Sequence, residues 1–141
     1  MFNKNFIVIC ISSTIAAFPP MAVVLLGGII TSQIMMKDSL ATVPMTLMII
    51  GIAISAPIAS RFMSIWGRQK GFLFSSLLSC LALIICSIAI YLENFFIFAL
   101  GNFLIGSSQA FIHQYRFAAS ESVAKELIPR SISIILLLGI I

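Results

Sequence analysis

Four stretches without a single charged side chain occupy residues 5–36, 39–60, 71–92 and 94–115 of this sequence. Each exceeds the ~20 residues that a helix needs to cross a hydrocarbon layer about 30 Å thick. Backbone N–H and C=O groups have no water to bond in that layer, so a run of this kind is stable there as a helix, which closes its hydrogen bonds within itself. The expected fold is therefore an all-α membrane protein, an antiparallel transmembrane helix bundle. Helices are expected at approximately 6–30, 41–61, 71–92 and 95–120, with a shorter run at 130–141, all within a single transmembrane domain covering 1–141.

Composition closes off the soluble alternatives. Charged residues make up 9% of the chain and hydrophobic ones 61%, whereas a soluble domain carries roughly 25% charged residues. The net charge of +4 does not form a basic face for nucleic acid, because the cations fall between the apolar runs. With the N-terminus in the cytoplasm, Lys4, Arg61, Arg68, Lys70, Lys125 and Arg130 collect on one side and Lys37 alone on the other. That asymmetry is the positive-inside pattern, and it places the protein in the cytoplasmic (inner) membrane with a cytoplasmic N-terminus.

The first apolar stretch imitates a secretory signal through Lys4, 6–11 and the small pair Ala16-Ala17. It continues past Pro19-Pro20 to Ile30, too long for the usual signal core, and reads as a retained helix kinked at its proline pair. The fifth run opens at Pro129-Arg130 and covers about half a bilayer by Ile141, so the chain is expected to be the N-terminal part of a longer protein. Cys10, Cys80 and Cys86 lie in apolar segments with no CxxC spacing, and read as small apolar packing residues. No metal site and no cofactor are expected. Among the apolar runs there are no paired carboxylates, no HExxH and no acid beside His113, which argues against an enzyme.

Small residues recur one turn apart on the second helix at Gly51, Ser55 and Ala59, and on the third at Ser75, Ser79, Ala82 and Cys86. Such stripes let helix backbones approach closely where lipid supplies no hydrophobic drive to associate. The fourth helix carries a different stripe. At about 100° per residue, Asn102, Gly106, Gln109, His113, Arg116 and Ser120 fall on one line. Polar groups at membrane depth face a bundle interior or a water-filled cavity, which leaves two readings open: a solute or proton pathway, or hydrogen bonding between helices. Asn102, Gln109, His113 and Arg116 are the candidate pathway-lining residues. Arg116 stands about 33 Å along the helix from Asn94, where it either snorkels to the headgroups or points inward. His113 is either a proton relay or a hydrogen-bonded packing residue. Glu121–Lys125 and Glu126–Arg130 are i,i+4 ion pairs that extend the helix as a charged end.

Between the second and third spans runs Ser60-Arg61-Phe62-Met63-Ser64-Ile65-Trp66-Gly67-Arg68-Gln69-Lys70-Gly71. Its end, Gly67-Arg68-Gln69-Lys70, resembles the signature loop of the major facilitator superfamily, roughly G-x-x-x-D-R-x-G-R-R/K. The signature positions here are Ser60, Ser64, Gly67, Arg68 and Lys70; Ser60 replaces the leading glycine, Ser64 the aspartate and Ile65 the arginine after it. The charge latch that the family builds on that aspartate has no counterpart at Ser64. Residues 102–110 are similar to the family's fourth-helix pattern R-F-L-x-G-x-x-x-A, with Asn102 at the arginine position. Tyr115-Arg116-Phe117-Ala118-Ala119-Ser120-Glu121 and Pro129-Arg130 also resemble bacterial members.

The resemblance implies a secondary transporter of twelve helices in two halves, moving a small-molecule solute by alternating access through a midplane site. Its partners would be the lipid bilayer, that solute and the C-terminal helices of the same carrier, and without those helices the chain is expected to be an inactive fragment. Two other functions compete. One is a non-transporting scaffold or assembly subunit. The other is a four-helix oligomeric efflux protein, which would need a membrane-embedded acid that residues 5–36 lack.

Overall fold

The structure is a computed structural model that describes residues 11–35, 40–114 and 133. Among these, all regular structure is helical, and four helices are long and apolar enough to cross a membrane. We denote them α1 (Phe18–Met35), α2 (Val43–Trp66), α3 (Arg68–Tyr91) and α4 (Phe95–Ile112). Two compact units divide the chain, one of Pro19–Phe111 and one of Met1–Phe18 with Ile112–Ile141.

In the smaller unit, residues 11–16 are helical and the chain turns at Ala17, where the Ala17 N–H donates to the Thr14 carbonyl at 3.1 Å. The interruption lies just before Pro19-Pro20. Neither proline has an N–H to give back to the preceding turn, so an unbroken ladder cannot cross this point. Apart from Ser133, the expected fifth run at 130–141 lies outside the described residues.

The larger unit is built on α4. Within the spans, 61% of α4 is buried against 22% of α2 and 22% of α3. The reason lies in its side chains: Ala99, Gly101, Gly106, Ser107, Ser108 and Ala110 are small and all buried, so other helices reach the α4 backbone from several sides. Outward faces carry Leu25, Ile54, Leu77, Ile84 and Phe96, each exposed by half or more, as lipid contact requires.

Contacts fix the helix directions. Gly27 and Gly28 of α1 face Pro44 and Ala41 at the start of α2. Gly71 of α3 faces Met63 of α2, and Gly101 of α4 faces Cys86 of α3. Ser79 of α3 meets Ser108 of α4, so position rises on one helix as it falls on the next. Consecutive helices are antiparallel. The tightest approach is between α2 and α4, where a Cβ on Gly51 would overlap the Phe103 carbonyl oxygen and one on Gly106 the Met48 carbonyl oxygen.

The two described turns are short for identifiable reasons. The expected link at 60–71 is nearly all helix: α2 runs to Trp66, α3 starts at Arg68, and Gly67 alone joins them. Gly67 has φ 85° and ψ 157°, a region open essentially to glycine. After α3, the Glu93 N–H donates to Ile90 O at 3.2 Å and the Asn94 N–H to Ala89 O at 2.9 Å, with Glu93 at φ 51°. This is a Schellman ending. Asn94 then caps α4, its Oδ1 accepting from the N–H groups of Phe96 (3.0 Å) and Ile97 (3.3 Å).

Candidate functional site

Several hydroxyls at membrane depth are satisfied by their own helix. Thr31 Oγ1 donates to Gly27 O at 2.7 Å, Ser76 Oγ to Phe72 O at 3.0 Å and Ser107 Oγ to Phe103 O at 3.0 Å. Ser79 is different, donating across to Ser108 Oγ of α4 at 2.8 Å. The small-residue stripe of α3 pointed to Ser79, but nothing in the spacing of α4 singled out Ser108.

Asn102 is fully buried, and its Nδ2 donates to the Phe98 carbonyl one turn earlier at 2.8 Å. That bond sets the orientation of the amide, since a carbonyl accepts only from the nitrogen side. Oδ1 is consequently left buried with no hydrogen-bond partner. A buried carbonyl in that state costs about 1–3 kcal/mol relative to a satisfied one, so it marks a place where a donor belongs.

A cavity of about 240 Å³ lies between α1, α3 and α4, with Asn102 in its lining. Val23, Phe98 and Ile105, also in the lining, are buried, whereas Leu26, Ser87 and Ile90 are exposed and form the rim. No ionisable carboxylate or amine lines it.

Of the other residues on the expected stripe, Gly106 and Gln109 are buried on α4 with Asn102. His113 is not on the helix: α4 ends at Ile112, short of the expected 120, and His113 stands exposed in the turn that follows. The regular 100° rotation that put His113 in line with Gln109 stops with the helix. Arg116 lies outside the described residues, as do Ser120 and both expected ion pairs.

The signature segment forms the end of the bundle where α2 meets α3. Ser60 and Ser64 are exposed, and Ser64 Oγ donates to the Arg61 carbonyl at 2.8 Å. Arg68 is half-buried, and Lys70 holds its ammonium 5.4 Å from the centre of the Trp66 ring, within cation–π range. Beneath them Phe62 stacks on Trp66 at 5.9 Å and on Phe74 at 5.4 Å, and Phe111 of α4 packs edge-on against Phe62 at 6.0 Å. This aromatic group ties three helices at one end, a role that charge pattern alone did not disclose. Cys86 is buried against Gly101, whereas Cys80 is on an exposed face. Among the described residues no three His, Cys, Asp or Glu side chains come together as metal ligands.

The chain is thus a helical membrane protein with a polar amide buried beside an apolar cavity, and the similarity it has to a known protein is to a membrane transporter. Over 139 residues, 99% of this chain, it is 28% identical to the riboflavin transporter RfnT of Brucella anthropi. The chain spans 35% of that relative's length. No protein-family model matches the sequence, and no solved structure matches it significantly.

Proposed function

We propose that this chain takes part in moving a small solute across a membrane, as part of a secondary transporter of the major facilitator type that works by alternating access. The observation that carries the reading is the similarity to a transporter along 99% of the chain. The residue pattern around Gly67-Arg68-Gln69-Lys70 and along 102–110 supports the superfamily assignment. Asn102 and Gln109, both buried on α4, are the proposed pathway residues in the described bundle; His113 and Arg116 are pathway candidates beyond it. The proposed location is the cytoplasmic membrane, N-terminus inside, on the charge asymmetry of the loops.

The relative's solute, riboflavin, is the first to test. It is a neutral ring system carried on a polar side chain, and the cavity beside Asn102 carries no charged lining. The test is a chimera in which this chain replaces the matched portion of RfnT, expressed in a riboflavin-requiring bacterium. Riboflavin uptake well above that of the empty vector is the expected result. A chimera that reaches the membrane in normal amount and takes up none, beside an active RfnT control, overturns the flavin assignment.

A further inference from the structure

The cavity between α1, α3 and α4 has its mouth toward lipid. Among the described residues that line it, those from α4 are all buried, Phe98 and Ile105 with them, whereas the exposed ones lie on α1 (Ala22 and Leu26) and on α3 (Leu83, Ser87 and Ile90). The α4 residues are therefore the floor, α1 and α3 are the walls, and the mouth lies between those two helices. Its edges run into the outward faces that carry Leu25 and Ile29 on α1 and Ile84 and Ile88 on α3, all large, apolar and exposed. Those faces meet the acyl chains of the bilayer, so the cavity is continuous with the lipid-contacting surface.

Length and depth narrow the occupant. From Pro19 to Ile30, the ends of the lining on α1, the helix rises about 16 Å, against about 15 Å for the half of the hydrocarbon core that one leaflet fills. On α3 the lining ends at Ile90, next to Tyr91, which is 88% exposed, and Glu93 and Asn94 follow in the turn before α4. An exposed tyrosine beside a polar turn belongs at headgroup level, so the slot starts beneath the headgroups there and reaches toward the midplane. A volume of about 240 Å³ drawn out over that length fits a single flexible chain. Asn102 is fully buried and Ser87 lies on the rim, which leaves an apolar interior of the kind that stays dry.

We propose that the α1–α3–α4 cavity holds one acyl chain of a phospholipid from the leaflet on the side of the α3–α4 turn, its methylenes lying on Phe98 and Ile105. The tail supplies contacts that the floor otherwise lacks, each weak and together substantial, so it exchanges more slowly than the lipids around it. Its retention does not depend on transport, and stands or falls separately from the riboflavin chimera.

The experiment uses the whole chain in nanodiscs doped with a phosphatidylcholine that carries a diazirine midway along its acyl chain. After illumination, the adducts are located by peptide mass spectrometry. Leu100, exposed on α4 at the depth of the floor, reports ordinary lipid contact, and Met48, buried at the α2–α4 crossing, reports packed interior. Phe98 and Ile105 are expected to be labelled as strongly as Leu100, and Met48 not at all. Ala22→Phe fills the slot from an exposed position of α1. In that variant the labelling of Phe98 and Ile105 is expected to fall to the level of Met48, while unchanged labelling of Leu100 shows that the bundle still spans the bilayer. An unlabelled floor beside a labelled Leu100 in the wild type means that the slot is closed, or filled by water or by another chain, and overturns the proposal. Floor labelling that survives Ala22→Phe overturns it as well.

Discussion

Gly51 and Gly106 face each other's helices across the α2–α4 crossing, and both are hemmed in by main-chain rather than side-chain atoms. A methyl at Gly106 meets the Met48 carbonyl, which cannot swing aside as a rotamer can, so the helices themselves must separate. Gly106→Ala is expected to destabilise the bundle by about 1–3 kcal/mol, read as a lower unfolding temperature in detergent. Gly28, with only ordinary contacts to Ala41, is the control, and Gly28→Ala should change little. Ser108 adds a smaller effect of another kind: it accepts the hydroxyl of Ser79 at 2.8 Å. Hydrogen bonds between membrane helices average about 0.6 kcal/mol, so Ser108→Ala should cost about that much in a double-mutant cycle with Ser79→Ala.

At the scale of elements, the turns hold two residues with positive φ for opposite reasons. Gly67 sits at φ 85° and ψ 157°, which is not the left-handed helical region that asparagine tolerates. Gly67→Ala and Gly67→Asn are both expected to destabilise by about 1–3 kcal/mol, and equal losses in thermal unfolding would check that reasoning. Glu93 occupies φ 51° in the Schellman ending of α3, a place that glycine fills at no steric cost. Glu93→Gly is therefore expected to stabilise by roughly 0.5–1 kcal/mol; an unfolding temperature that falls would mean the Glu93 side chain holds the turn in some other way. The α2–α3 junction was legible in part. The glycine and the cations stood out in the sequence, but the joining segment shrank to one residue because helix continues on both sides of it.

For the whole molecule, the prediction concerns orientation. On the orientation proposed from the asymmetry that separates Lys37 from Arg61, Arg68 and Lys70, Glu93 is expected outside and the α2–α3 junction inside. In a cysteine-free background, Glu93→Cys is expected to react in intact cells with a membrane-impermeant maleimide, and Gln69→Cys only after permeabilisation. The reverse pattern would invert the topology.

What the sequence determined by itself is the number and approximate place of the described helices, because a bilayer admits few ways to satisfy a backbone and the uncharged runs have the length for one of them. It also marked α4 as the polar helix, and Asn102 as a residue whose burial would matter. What only the tertiary structure decided is which neighbour each face meets. The helical wheel placed Asn102, Gln109 and His113 on one line, but it could not tell that α4 stops at Ile112 or that Ser108 bonds to α3. Nor could it tell that the Asn102 nitrogen turns back to Phe98 while its oxygen is stranded. Periodicity along one helix is a local property; a cavity, a crossing or an unsatisfied oxygen exists only once the other helices are in place.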